Sequence, residues 1–472
     1  MYGHTFLRLD ERGREDGGLL DYSLNFAAQT DTRSGVLFAL FGLTGGFPGR
    51  FSLLPYYMKV QEYNNLESRD LWEYRLDLGT RTVDMLLRHA WELGSAHFDY
   101  YFLTKNCSYQ LLPLLEAADP SLRLSEKLPL QVVPADTVRL LRESGLAGPP
   151  RYRPSLVSRM LEGRKGLSKD ELGLAAGLAQ GPEEGPLEEL GRLPPERQAA
   201  VLDSSLDLLR YRAGFKEKDA PEVLRKEAGL LKRRSRLAPG TALEVRTHKS
   251  PVEDGHETAR WGFALGAGKD AAFEEFSIRP ALHDTLALQR GYVPDSLLEM
   301  FGLRLRHDRR NGGIWVEEAT AVNIASFSPL DPWIRRPSWK AASGLRSLPE
   351  LGCRGARCLA PVLEGGSGLS WKPGGGSLLY AFAEAELSAG GVFEKGGRFG
   401  GGAAAGAVLD FGRAGRLQLE SGHRDYLLGD GRSRSSAKLE WCLSLGRDSE
   451  LRVSLTRRTP YQEASVGLNS YF

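Results

Sequence analysis

The chain has 472 residues, more than one hydrophobic core usually serves, so two or three folding units are expected. Its 62 Lys and Arg against 60 Asp and Glu leave a formal charge of +2, without the basic excess of a nucleic-acid binder, and nucleic acid is set aside as a partner. No run approaches the roughly 18 consecutive apolar residues of a membrane-spanning helix; the best, Val36 to Leu43, stops at Thr44-Gly45-Gly46.

The chain opens at Met1-Tyr2-Gly3-His4 and runs straight into a strand-like segment with no signal peptide, which reads as an internal start of a longer precursor or a misplaced start codon. Residues 4–10 and 19–26 alternate well enough on either side of a polar Gly turn to form a β-hairpin. Val83, Leu86, Leu87, Ala90 and Trp91 recur at helical spacing and predict a helix from Thr82 to about Leu93. A second helix is expected to begin near Cys107 and to carry Leu111, Leu112, Leu114 and Leu115, with Pro113 kinking or shortening it. Residues 1–150 are thus a mixed α and β domain.

Residues 151–237 are rich in Leu, Glu, Lys and Arg, with Pro-initiated segments such as Pro194-Pro195-Glu196-Arg197, and read as a small helical connector. Its closing basic run, Lys232-Arg233-Arg234-Ser235-Arg236, suits either anionic head groups or a solvated helix end. From 238 to 472 glycine accumulates and short alternating segments follow one another, which predicts an antiparallel β-barrel of roughly twelve strands. Leu439, Trp441, Leu443 and Leu445 share one face and Lys438, Glu440, Cys442 and Ser444 the other; Trp261, Phe263 and Leu265 oppose Arg260 in the same way. Charge at Arg304, Arg306, Glu384, Glu386, Arg416 and Glu420 suits a hydrated barrel interior, and the end Ser465–Phe472 resembles the C-terminal insertion signal of bacterial outer-membrane barrels. A β-sandwich or a soluble closed barrel is the alternative.

Of four cysteines, Cys353 and Cys358 lie close enough in a Gly/Arg-rich loop to close a small disulfide ring, which would imply an oxidising compartment; two unpaired thiols are the other reading. That loop holds too few ligands for zinc, and neither metal nor cofactor is expected.

The sharpest local feature is Thr104-Lys105-Asn106-Cys107-Ser108-Tyr109-Gln110. A cysteine at a helix start favours thiolate, whereas a free cysteine elsewhere is most often a small buried hydrophobe. A thiolate nucleophile needs an acid/base partner, and His4, His89 and His97 are the histidines of the first domain. His89 sits beside apolar neighbours on a helix and His97 in the loop after it, which favours His4.

Gly3-His4-Thr5-Phe6-Leu7-Arg8, Asp21-Tyr22-Ser23-Leu24-Asn25-Phe26, Tyr56 through Tyr63, Glu67 through Tyr74 and Asn106-Cys107 resemble, in order, the Lnb N-terminal periplasmic domain family over residues 1 to about 150. Gly-His and Asn-Cys are weak signals singly; their order around the Tyr-rich middle is specific. The resemblance implies a circularly permuted papain-like domain of NlpC type, similar in layout to lecithin retinol acyltransferase, with Cys107 as nucleophile, His4 as its base and Asn25 as the orienting third group, Tyr22 or Asp21 being substitutes. The family normally has sequence before its Gly-His strand, which this chain lacks.

The family's name is associated with bacterial lipoprotein N-acylation, so the resemblance also implies acyl transfer from a phospholipid to a lipoprotein N-terminus, through a thioester on Cys107, at the outer membrane. Backbone N–H groups at the helix start would then stabilise the oxyanion. The apolar, Gly-broken stretch Ser34 to Leu54 is either core or a lip where an acyl chain enters. A peptidoglycan amidase or endopeptidase using the same thiolate and a non-enzymatic outer-membrane adaptor are the rival readings.

Overall fold

A computed structural model describes residues 3–11, 18–32, 34–128, 131–181, 184–214, 220–238, 249–268, 272–310, 312–353, 358–430 and 433–472. The expected opening at Met1-Tyr2, most of the hairpin's polar turn and the junction 239–248 lie outside the described residues. The chain divides into two compact units, one ending at Pro251 and the other Val252–Phe472.

The first unit begins with β1 (Leu7–Leu9), β2 (Tyr22–Ala28), α1 (Gly35–Thr44), β3 (Phe47–Pro55) and α2 (Tyr56–Val60), which runs on as a π-helical stretch, Gln61–Leu66. It continues through β4 (Leu71–Leu76), α3 (Thr80–Glu92), β5 (Phe98–Tyr100), α4 (Leu111–Ala118), α5 (Pro134–Glu143) and β6 (Ala147–Arg153). An antiparallel sheet of order β1-β2-β3-β5 forms, and β4 pairs β6 separately. The expected hairpin is present, with Leu7 opposite Leu24.

Alternation along β2 sends Leu24 and Phe26 into a core shared with Phe51, with Leu86 of α3, and with Leu111, Leu112, Leu114 and Leu115 of α4. Each such side chain stabilises the fold by about 1.5–3 kcal/mol. Asn25 points to the opposite face and is also buried. Pro113 sits in the first turn of α4, where its missing N–H has no intrahelical partner anyway, and the helix is short, ending at Ala118. That helix starts at Leu111, later than the expected start near Cys107.

Arg8 on β1 bridges Asp21 at 2.7 Å and Glu73 at 3.0 Å, and Glu73 also holds Arg153 at 2.8 Å and the Tyr56 hydroxyl at 2.7 Å. Burial opposes the charge on Glu73, but hydrogen bonds from Arg153 and Tyr56 outweigh it and hold the carboxyl below its usual range. The strands β1, β4 and β6 are thereby tied through one carboxylate.

The rest of this unit is helical: α6 (Leu156–Gly163), α7 (Lys169–Gln180), α8 (Glu184–Gly191), α9 (Pro195–Ala213) and α10 (Ala220–Arg234). Proline opens α9 at its first position, as the Pro194-Pro195 signal predicts, and Val201, Leu202, Leu206, Leu208 and Leu209 bury it among α6, α7 and α10. The basic run ends α10, where Arg234 pairs with Asp203 at 2.9 Å.

The second unit is a barrel built from β7 (Arg260–Gly268), β8 (Ala272–Arg279), β9 (Ala281–His283), β10 (Ser296–Asp308), β11 (Ile314–Ser326), β12 (Ser338–Ser347), β13 (Leu359–Gly374), β14 (Ser377–Ala389), β15 (Gly397–Asp410), β16 (Arg416–Gly429), β17 (Arg434–Ser444), β18 (Ser449–Arg458) and β19 (Tyr461–Tyr471). Each neighbour is antiparallel, β19 closes on β7, and β10 joins β8 to β11, which makes a closed ring of twelve with β9 as a short extension beside β10.

Trp261, Phe263, Leu265, Leu455, Val466 and Leu468 are exposed on the outer wall. Inside, Arg304 pairs with Glu318 at 2.6 Å, Arg306 with Glu463 at 2.8 Å, Glu384 with Arg424 at 2.8 Å and Glu386 with Arg398 at 3.1 Å. Glu420 accepts from the Tyr380 hydroxyl, and Arg416 donates to the carbonyl of Thr285. A cavity of about 490 Å³ lies among these charges. A soluble barrel would hide its aromatics and a sandwich would hide no ring of ion pairs; an apolar outside with a charged inside is the outer-membrane arrangement.

Cys353 and Cys358 are disulfide-bonded, with Cα atoms 5.3 Å apart, as an oxidising compartment permits. Among the described residues no helix is long and apolar enough to cross a membrane.

Candidate active site

Cys107 lies in the turn that leads into α4, and the residue before it shapes that turn. The Asn106 side chain accepts from Ser108 N–H at 3.1 Å, Ser108 Oγ at 2.9 Å and Tyr109 N–H at 3.1 Å. Its amide donates to the carbonyls of Phe102 and Val132, at 3.1 and 2.6 Å. An asparagine can satisfy both sets at once because it carries an acceptor and two donors on one short side chain. The turn is therefore rigid, and it leaves Cys107 4% exposed.

Three groups address the sulfur: the His4 imidazole, the backbone N–H of Thr5 and the Tyr100 hydroxyl. The Cys107 N–H in turn donates to Tyr100 Oη at 3.2 Å. His4 precedes β1 in an extended segment, and its Nε2 bonds Asn25 Oδ1 on β2, which leaves Nδ1 for the thiol. The imidazole also stacks on Tyr63, with centroids 5.4 Å apart, and Tyr63 belongs to the π-helical stretch whose widened turn brings it over the ring.

Burial alone would raise the thiol, but the hydrogen bond and charge of His4, helped by Thr5 N–H and Tyr100, outweigh it and bring Cys107 below its ordinary value. Burial would likewise lower His4; the bond and charge of Cys107, with the bond to Asn25, turn the shift upward, against a small opposing effect of Lys59. Each partner favours the charged form of the other, so both shifts run toward a thiolate beside an imidazolium.

The other sequence candidates lie elsewhere. His89 bonds Glu92 at 3.3 Å on α3, and His97 is exposed. Asp21 is engaged by Arg8, and the Tyr22 side chain is exposed. Asn25 is the group in contact with His4, among the three that the resemblance offered.

Two expectations change. Cys107 is not at the N-terminus of α4, and the groups that lower its thiol are His4, Thr5 N–H and Tyr100 in place of the helix dipole. The amides of Ser108 and Tyr109 are occupied by Asn106, and that of Cys107 by Tyr100, so they do not form the expected oxyanion hole. Tyr100 and Tyr63 were missed; Tyr63 stood within the quoted Tyr-rich stretch, while Tyr100 carried only its closeness to Cys107. Among the described residues no group of three or more His, Cys, Asp and Glu could hold a metal ion.

In comparison with known proteins, residues 1–144 match the Lnb N-terminal periplasmic domain. Residues 150–245 and 249–471 match two domains of unknown function, DUF7842 and DUF7840. None of the curated proteins matches the chain. Solved structures similar to it include a KdgM porin in complex with disordered oligogalacturonate, at 6% identity over 45% of this chain and 99% of that one, with a TM-score of 0.29. A NanC porin follows at 5% identity, 45% and 99% coverage and 0.28, and an anion-selective porin from Comamonas acidovorans at 10%, 46%, 99% and 0.21. A barrel with a lipid-facing outside, carried behind a domain of a periplasmic family, places the chain at the bacterial outer membrane with its N-terminal domain in the periplasm.

Proposed function

Starting from residues 1–144 as an Lnb N-terminal periplasmic domain on an outer-membrane barrel, we propose that the protein is a thiol acyltransferase of the envelope, with Cys107 as nucleophile, His4 as acid/base and Asn25 as the group that orients His4. The observation that carries this is the Cys107 sulfur held buried among three hydrogen-bonding groups, one of them an imidazole fixed from behind by an amide oxygen.

The Cys107 thiolate attacks the ester carbonyl of a phospholipid, forming the C–S bond as the carbonyl π pair moves to oxygen. Until then the Tyr100 O–H points to the sulfur; once the sulfur has lost its charge, that proton is drawn to the new oxyanion. Collapse expels the alkoxide, which takes the proton of the His4 imidazolium and leaves as lysophospholipid. The acceptor amine, that of a lipoprotein N-terminus, then attacks the thioester while His4 takes its proton, and the amide departs with the thiolate restored. No cofactor is required, and the fold of this domain is read as the permuted papain-like arrangement of its relatives.

The test is to incubate the folded chain, barrel included, with phospholipid vesicles, without acceptor, and to analyse the intact protein by mass spectrometry. A long-chain acyl adduct that maps to Cys107 and is released by hydroxylamine is expected. Cleavage of muropeptides with no adduct would replace transfer by the amidase reading, and an envelope phenotype that Cys107→Ala leaves unchanged would leave the adaptor.

A further inference from the structure

We propose that α1 is a lipid-docking helix, seated with its apolar side in the interfacial layer of a bilayer leaflet, so that the ester reaching Cys107 is presented from a membrane and not from solution. For its substrate this rests on the acyl-transfer reading; the docking itself does not.

Every residue from Gly35 to Leu43 is apolar or glycine, so the helix has no polar face to turn to water. Leu37, Phe38, Leu40 and Phe41 are nonetheless exposed, Leu40 by 51%. This is not a frayed end: the Ser34 side chain caps the start through Leu37 N–H, and Gly45, at φ 80°, closes the other end through Phe41 O. A helix that is capped at both ends and apolar all round is built to be covered, either by protein or by lipid.

The inner side ties α1 to the nucleophile's own loop. Phe38 packs on Phe47 and Phe102, and Phe102 N–H donates to Gly42 O at 2.8 Å. A Cβ at Gly42 would fall 2.2 Å from the Phe102 ring, so only glycine permits this approach. The carbonyl of the same Phe102 is held by Asn106, the residue before Cys107. Helix and nucleophile therefore form one rigid piece, and the chain's own barrel supplies the bilayer. Lipid is the occupant this combination favours over a second protein surface.

The experiment uses the full chain in phospholipid nanodiscs, in a Cys107→Ser background, with an environment-sensitive NBD fluorophore at Leu40→Cys or, as a control, at Trp91→Cys, a site 87% exposed. The Leu40 probe should be blue-shifted, several-fold brighter than the control and quenched by lipids with doxyl groups near the head region. Emission equal to the control, or a blue shift without doxyl quenching, would overturn the proposal, the second result meaning that protein covers α1. With Cys107 restored, Leu40→Asp with Phe41→Asp should cut acyl loading from bilayer phospholipid about tenfold or more while loading from a soluble short-chain thioester persists. Equal loss from both donors would remove the link to the substrate. Absence of any adduct on the wild type would sink the acyl-transfer reading and leave the fluorescence to decide docking.

Discussion

The two free cysteines of this chain are both buried, yet their surroundings ask opposite things of them. Cys442, on the inner wall of the barrel, donates its S–H to the Glu450 carboxylate at 3.2 Å. Cys107 receives hydrogen bonds from an imidazole, a backbone amide and a phenol. Burial is thus no guide to reactivity; what matters is whether the neighbours are acceptors or donors. The same contrast runs through the two units. In the barrel, Arg306 is met by Glu463 and Arg452 by Glu440 and Glu450, so charge is balanced by fixed charge. At the site, charge is balanced by a proton that can move.

The sharpest way to break the comparison is to remove each sulfur in turn. Cys107→Ser should reduce acyl transfer by at least about a thousandfold, the order expected for loss of a covalent nucleophile, read as loss of the hydroxylamine-labile adduct. Next in size is His4→Ala, read by iodoacetamide alkylation against pH. In the wild type the alkylation midpoint should lie below the ordinary thiol value, because Cys107 is shifted down. Without the imidazole the burial penalty is opposed only by Thr5 N–H and Tyr100, so the midpoint should rise, with alkylation at neutral pH falling about a hundredfold for a rise of roughly two pH units. Acyl transfer by the intact pair should be bell-shaped: it rises with pH as Cys107 ionises and falls as His4 loses its proton at a pH above the usual imidazole value. An alkylation midpoint unchanged in His4→Ala would separate the two residues.

Asn25→Ala should cost less, about tenfold in acyl transfer, since it removes the group that fixes the imidazole while both reacting partners stay in place. It should also lower the His4 limb of the pH profile, because the bond to Asn25 is one cause of the upward shift. Asn25→Asp, which keeps the acceptor oxygen, should restore most of the rate.

Legibility followed periodicity. The barrel could be read because twelve strands each repeat one inside-outside alternation, and position along a strand decides which face a side chain takes. The α9 start was readable from its proline, and α3 from its apolar spacing. The site was legible only through Asn106-Cys107 and Gly3-His4, which are distant in sequence, and the resemblance joined them. Tyr100 and Tyr63 escaped because one ends a three-residue strand facing the turn of Cys107 and the other sits in a π-helical stretch, and neither is long enough to show a sequence period. The helix start was misplaced for a related reason: Asn106 caps a turn with the same chemistry that caps a helix, and sequence cannot tell one from the other.

The smallest effect belongs to Cys442. Its partner Glu450 also accepts from Arg452 Nε at 2.7 Å, Asn469 at 2.8 Å and the Tyr471 hydroxyl at 3.0 Å, so the thiol is one donor among several. Cys442→Ser keeps a donor at that point and should change barrel stability by no more than about 0.5 kcal/mol. Cys442→Ala removes it and should cost about 1 kcal/mol, since Glu450 remains satisfied by its other donors, Arg260 among them. Both variants should leave acyl loading of Cys107 at the wild-type level, read in the same mass-spectrometric assay, alongside the denaturant midpoint of the barrel in detergent. A loss of loading in Cys442→Ala with a folded barrel would mean that the inner-wall thiol takes part in the chemistry after all, and the distinction between donor-lined and acceptor-lined sulfur would no longer sort the reactive cysteine from the inert one.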